Sequence, residues 1–240
     1  MAPSIASYID HAVLHPTQTD EDLAVAAALC AKYGVASICV KPSMVARAAE
    51  LLAESPVKVS TVIGFPHGGC ATPVKAFEAE EACRHGAVEL DMVVNIGRVL
   101  SADWEYVEQD ILAVVEAATT GGALVKVIFE TGLLETDEQK MKLCACSERA
   151  GATFVKTSTG FGFVKQAAGG LQATGATRED ITLMRKHFSR GVKASGGIRS
   201  LAEARAFIDL GATRLGTSST EALVREEQGV VAEPPPSGNY

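Results

Sequence analysis

The chain has 240 residues, of which 47% are hydrophobic and 21% charged, with a net charge of −7. That is enough apolar chain for one large domain with a substantial core. Acidic and basic residues are interspersed, which excludes the clustered cations that a nucleic-acid groove or an anionic membrane surface needs, and no apolar run approaches spanning length.

The opening stretch "MAPSIASYIDHAVLHP" has no basic segment leading into a long apolar one, so no secretory signal is expected. Six cysteines (Cys30, Cys39, Cys70, Cys83, Cys144 and Cys146) in a long, core-rich chain are expected to be free thiols of a reducing cytoplasm.

Short β-rich apolar runs then recur at Ser7–Asp10, Val35–Lys41, Val57–Gly64, Val88–Asn95, Leu124–Glu130, Thr153–Thr157, Val192–Ala194 and Arg214–Gly216. Helical periodicity fills the gaps. "TDEDLAVAAALCAKYG" opens on acids and closes on Lys32 and Gly34, as the helix dipole and C-cap favour. "SMVARAAELLAE", "TPVKAFEAEEACRHG" and "DWEYVEQDILAVVEAAT" follow. "TDEQKMKLCACSERAG" starts with a capping box from Thr136 to Gln139, and "SLAEARAFIDLG" repeats it with Ser200 and Glu203, after "TREDITLMRKHF". Eight strands alternating with helices in this length predict an α/β fold, a single-domain (β/α)8 TIM barrel over 1–228. The end, "AEPPPSGNY", reads as a flexible C-terminal tail within 229–240. An open doubly wound sheet is the runner-up, without the Gly-x-Gly-x-x-Gly fingerprint of its dinucleotide-binding version.

Barrel chemistry gathers where strands end and βα loops begin. Those positions hold Asp10-His11, Lys41, Asp91 to Asn95, Glu130, Lys156-Thr157-Ser158, Lys193 to Gly197, and Gly216 to Ser219. Asp91 lies among Leu90, Met92, Val93 and Val94, and a buried carboxylate requires a cation. Lys156 and Lys193, from strands six and seven, are the candidates. Two close ammonium groups repel and burial desolvates them, so an amine pKa falls from roughly 10.4 toward about 7–8, where a free amine attacks carbonyls. That is the arrangement for Schiff-base catalysis, with Asp91 available to shuttle protons. The competing account makes both lysines structural partners of Asp91 and Glu130.

"SGGIRSLAEA" presents successive backbone N–H groups at Ser195, Gly196 and Gly197 before a helix, and "LGTSSTEAL" does the same around Gly216, Ser218 and Ser219. Loops after strands seven and eight are where many barrels hold phosphate, which suggests a small phosphorylated metabolite. Thr157, beside Lys156, joins these candidate substrate-binding positions.

"IDHAVL", "VIGFPHG", "ELDMVVNIG", "VKVIFETGLL", "FVKTSTGFG", "VKASGGIRS" and "RLGTSS", in that order from Asp10 to Ser219, closely resemble the 2-deoxyribose-5-phosphate aldolase family. The resemblance implies a class I aldolase with no metal and no cofactor, acting on a phosphorylated sugar. It makes Lys156 the Schiff-base nucleophile, Lys193 the amine that lowers its pKa, and Asp91 the proton donor and acceptor. Gly196, Gly197, Ser218 and Ser219 fall on the phosphate loops. Homo-oligomers and a cytoplasmic location are expected.

This chain departs from the pattern in the long Phe161–Ala176 stretch with its Lys165, in His15 where many relatives carry lysine, and in a terminal Tyr240 that could visit the site. Scattered His11, His67, His85 and His187 have no metal-ligand spacing. Other readings are a transaldolase-like lysine enzyme, or a non-catalytic barrel that binds a phosphometabolite.

Overall fold

The computed structural model describes residues 3–166 and 169–230. Its first element already differs from the sequence pattern. Ser4 accepts a hydrogen bond from the Ala6 amide and opens a 3-10 turn over Ile5–Tyr8, whose first amide donates to the Glu227 carboxylate. The strand expected over Ser7–Asp10 therefore starts later, as β1 at Ile9–Val13. Asp10 consequently lies low inside the barrel, not at the C-terminal rim.

The other barrel strands are β2 (Ser37–Val40), β3 (Lys58–Ile63), β4 (Glu89–Val93), β5 (Leu124–Ile128), β6 (Phe154–Lys156), β9 (Gly191–Ser195) and β10 (Arg214–Thr217). All pair in parallel in chain order, and β10 closes on β1. Helices cover the outside, so even outward positions are apolar: all five residues of β4 are buried. Two further strands, β7 (Phe163–Lys165) and β8 (Leu171–Ala173), form an antiparallel hairpin outside the barrel, in the stretch read from sequence as a long loop.

The helices are α1 (Asp20–Tyr33), α2 (Val45–Leu51), α3 (Thr72–Arg84), α4 (Ile96–Leu100), α5 (Trp104–Thr120), α6 (Asp137–Arg149), α7 (Arg178–His187), α8 (Leu201–Asp209) and α9 (Thr220–Glu227). Local chemistry explains their starts. Thr136 and Gln139 make the expected capping box of α6. Ser200 caps α8 by accepting from the Glu203 amide, but Glu203 reaches back to the Arg199 amide, one residue further than expected. The short α4 had no sequence expectation; Asn95 caps it by accepting from the Arg98 amide. All six cysteines are free, and burial pushes the Cys30 and Cys144 thiols up to about 12. Among the described residues no helix is long and apolar enough to cross a membrane. Residues 231–240, with Tyr240 and nearly all of the expected tail, lie outside the described residues.

Candidate active site at the C-terminal rim of the barrel

The side-chain alternation of β4, β5, β6, β9 and β10 turns Asp91, Lys126, Lys156, Lys193 and Arg214 toward one another inside the barrel. Lys156 and Lys193 lie side by side, their Cα atoms paired in the β6–β9 register. The two expected lysines and Asp91 are thus brought together. Lys156 Nζ donates to Asp91 Oδ2 at 2.8 Å and Lys193 Nζ to the same oxygen at 2.7 Å.

The sequence reading missed how far the network extends. Lys126 Nζ lies 2.8 Å from Asp91 Oδ1, 2.7 Å from Glu89 Oε2 and 3.3 Å from Asp10 Oδ2. Lys193 also reaches Asp10, at 2.5 Å, and Arg214 bridges Asp10 at 2.6 Å and Glu89 at 3.0 Å. Ser37 Oγ donates to Asp10 at 2.6 Å. All but Arg214, which keeps slight exposure, are buried. Lys58 touches Glu89 at 3.6 Å from the lower opening, with its own side chain 53% exposed.

Three buried carboxylates (Asp10, Glu89 and Asp91) thus face four interior cations. Charge balances when one cation gives up its proton. Lys126 has three carboxylate partners, Lys193 and Arg214 have two each, and Lys156 has one. Lys156 therefore loses least by becoming neutral. The pKa directions agree. Burial, aided by the Lys193 charge and opposed by Asp91, holds the Lys156 amine below its ordinary value. Burial also acts to lower Lys193, but Asp10 and Asp91 outweigh it and its pKa rises. Burial alone would raise Asp91; Lys126, Lys156 and Lys193 overcome it and hold the carboxyl well below the usual carboxylate range. The same contest, won by its three carboxylate neighbours, raises Lys126.

Gly216 lies within β10 rather than in a rim loop, and its inner face is covered by the lysine shelf. A Cβ there would fall 2.7 Å from Ser195 Cβ and 3.1 Å from Lys193 Cε. Gly216→Ala is expected to cost about 1–3 kcal/mol, as overpacking does, and to lower turnover by displacing the Lys193 chain. Thermal melts and a cleavage assay check this; a variant matching the parent in both would contradict it.

Thr157 is fully buried and ties β6 to β9, donating to the Ser195 carbonyl at 3.1 Å and accepting from its amide at 3.0 Å. Gly196 and Gly197 follow β9 with φ of 90° and 86°, and Gly197 is open to solvent. Ser218 is exposed, and Ser219 precedes α9 without making a side-chain cap. Glu130 accepts from the Thr159 amide and hydroxyl and from the Thr174 hydroxyl, so the structural alternative holds for Asp91, which both lysines reach, and not for Glu130. Lys165 is exposed on the hairpin, outside the ionic cluster. His15 stacks 6.4 Å from Phe161, which meets Phe65 edge-on at 5.4 Å, forming an aromatic lip at the mouth. His11 points outward to Thr220 at 2.8 Å, and burial lowers its pKa to about 4. Among the described residues no three His, Cys, Asp or Glu side chains converge as metal ligands.

A parallel barrel whose rim exposes a buried amine of lowered basicity beside a carboxylate and a second, charged amine belongs to the class of carbonyl-handling lyases. The DeoC/LacD family aldolase model matches residues 4–230, and the chain belongs to that family. A deoxyribose-phosphate aldolase of Halalkalibacterium halodurans is 50% identical over 231 residues, covering 95% of this chain and 98% of its own. One from Streptococcus sanguinis is 49% identical over 235 residues, covering 97% and 98%. Among solved structures, the tetrameric deoxyribose phosphate aldolase of Aeropyrum pernix matches with a TM-score of 0.84 at 33% identity, over 95% of this chain and 92% of that one.

Proposed function

We propose that this aldolase reversibly cleaves 2-deoxy-D-ribose 5-phosphate to D-glyceraldehyde 3-phosphate and acetaldehyde, with Lys156 as the Schiff-base nucleophile. The observation that carries the reading is the amine–carboxylate cluster, in which Lys156 is the least compensated of four cations. The names of the relatives at about 50% identity supply the substrate.

The neutral Lys156 amine adds to C1 of the open-chain sugar, and the carbinolamine loses water to give an iminium. Removal of the C3 hydroxyl proton then breaks the C2–C3 bond. Glyceraldehyde 3-phosphate leaves, and the electron pair moves into the iminium to form an enamine. Protonation of the enamine carbon and hydrolysis release acetaldehyde and return the amine. Asp91 starts the cycle ionised and so begins as proton acceptor, with the Lys193 ammonium 2.7 Å away as donor. The phosphate lies on the Gly196–Gly197 and Ser218–Ser219 backbone, before α8 and α9, where N–H groups and helix dipoles favour anions. Thr157 holds the two strands at the spacing this needs.

Only the neutral amine attacks, so kcat/KM falls as pH drops below the Lys156 pKa. Lys193 contributes to keeping that pKa low. Lys193→Leu is expected to move the rising limb of the pH–kcat/KM profile to higher pH and to lower its plateau. A profile unchanged in position and height would remove Lys193 from the reaction.

The same reading makes the enzyme a cytoplasmic homo-oligomer. The exposed Val74 and Phe77 on α3 and the tetrameric relative support assembly. A monomeric mass in sedimentation would set assembly aside, and recovery of the native enzyme outside the cytoplasmic fraction would set the location aside.

A further inference from the structure

Glu130 follows β5 by two residues, is buried, and takes a left-handed backbone (φ 53°) that non-glycine residues seldom adopt. Its Oε2 accepts from the Thr159 amide at 3.0 Å and, by a short bond, from the Thr159 hydroxyl. Its Oε1 accepts from the Thr174 hydroxyl at 3.0 Å. Among the described residues no cation lies within ion-pairing distance of it, so hydrogen bonds from these two threonines fix where the carboxylate sits.

Those threonines stand at opposite feet of the hairpin insertion. Thr159 belongs to the turn that leaves Lys156, and its hydroxyl also accepts from the Phe161 amide at 2.9 Å. Thr174 follows the second hairpin strand, and its amide donates to Gly162 O at 2.8 Å. Two glycines keep the junction open: a Cβ at Gly132 would run into Thr174, and one at Gly162 into Thr174 and Glu130. The two residues after the Thr174 foot pack against the glycines after β9. Gly175 lies so close that a Cβ there would fall 2.7 Å from Gly196 O, and the Ala176 amide donates to that same carbonyl at 3.2 Å.

We propose that Glu130 is a positioning residue that fixes, through Thr159, the turn after Lys156 and, through Thr174 and Gly175, the Gly196–Gly197 phosphate loop. The hairpin is thereby part of the wall that aligns the two ends of the substrate, while Glu130 itself never touches it. This rests on the reading of Lys156 and Gly196–Gly197 given above.

The test compares 2-deoxyribose 5-phosphate with 2-deoxyribose in the full-length enzyme and in Thr174→Val, Thr174→Ser and Glu130→Gln. Thr174→Val cuts only the arm to the phosphate loop. It is expected to raise KM for the phosphorylated sugar roughly tenfold more than for 2-deoxyribose, and Thr174→Ser, which keeps the hydroxyl, restores the parental ratio. Glu130→Gln keeps one acceptor oxygen for Thr159, turns an NH2 toward Thr174 so that the bond there reverses direction, and replaces charge-assisted bonds by weaker neutral ones. It is expected to lower kcat for both sugars as well, by roughly 10- to 100-fold, since a displacement of about 1 Å costs that much. Equal losses on both sugars in Thr174→Val, accompanied by a lower Tm, would reduce the clasp to a structural support and overturn the proposal. So would an unchanged KM ratio. If the parent itself shows no preference for the phosphorylated sugar, or leaves no borohydride-trapped adduct on Lys156, the reading of the site fails first and the inference falls with it.

Discussion

Lys156→Ala is expected to reduce cleavage of 2-deoxyribose 5-phosphate by roughly 10⁴-fold or more, because no other group in the site is placed to form the imine. Lys193 is the nearest competitor, but Asp10 at 2.5 Å and Asp91 at 2.7 Å hold it as an ammonium ion. Borohydride added with the substrate should inactivate the parent irreversibly and leave one reduced adduct, which peptide mass mapping locates at Lys156. The folded state should tolerate the change. Removing Lys156, the amine that gives up its proton, leaves three cations against three carboxylates inside the barrel, so the charge balance is kept and only packing volume and one hydrogen bond to Asp91 are lost. An adduct on Lys193 would exchange the two roles; no adduct with substrate still bound would leave a binding protein.

Lys126→Met is expected to have the opposite profile, a large loss of stability followed by a loss of activity. Lys126 is fully buried and, among the described residues, is the one cation that reaches Asp10, Glu89 and Asp91 together. Removing one partner of a buried ionic group costs about 3–5 kcal/mol, since the charges left behind keep their desolvation penalty. In a domain of this size that lowers Tm by roughly 10 °C. Asp91, released from Lys126, would hold the Lys156 proton more strongly, so the surviving activity should move to higher pH. A variant that melts within 2 °C of the parent and keeps its pH profile would show that the interior network is not organised around Lys126.

The parts of this site that could be read from sequence are the ones that break an apolar strand. Asp91 between Leu90 and Met92, and Lys156 and Lys193 after valines, are anomalies that burial turns into a functional question. Lys126, between Val125 and Val127, carries the same signal in mid-strand, away from the strand ends where barrel chemistry gathers. Glu89 and Arg214 sit at strand starts, where a polar residue looks like ordinary punctuation. The sequence pattern places Asp10 at the rim because it starts the first strand two residues early; the 3-10 turn that displaces the strand is tied to Glu227, 222 positions away from Ile5. Strands of three residues, as in the hairpin, are too short for period-two alternation to register. Its attachment through Glu130, Thr159 and Thr174 is a tertiary fact with no local signature.

The joint between the first and last barrel strands ties the basicity of Lys156 to closure of the ring. Asp10, near the start of the chain, meets Arg214, in the last strand to be synthesised, and Lys193 of the strand before it. Without these partners and the ring around it, Lys156 would be hydrated and as basic as an ordinary lysine. Burial, the main force lowering its basicity, requires the closed ring in which β10 pairs with β1. The lowered basicity of the Lys156 amine is therefore a property of the completed sheet and of no smaller part of the chain.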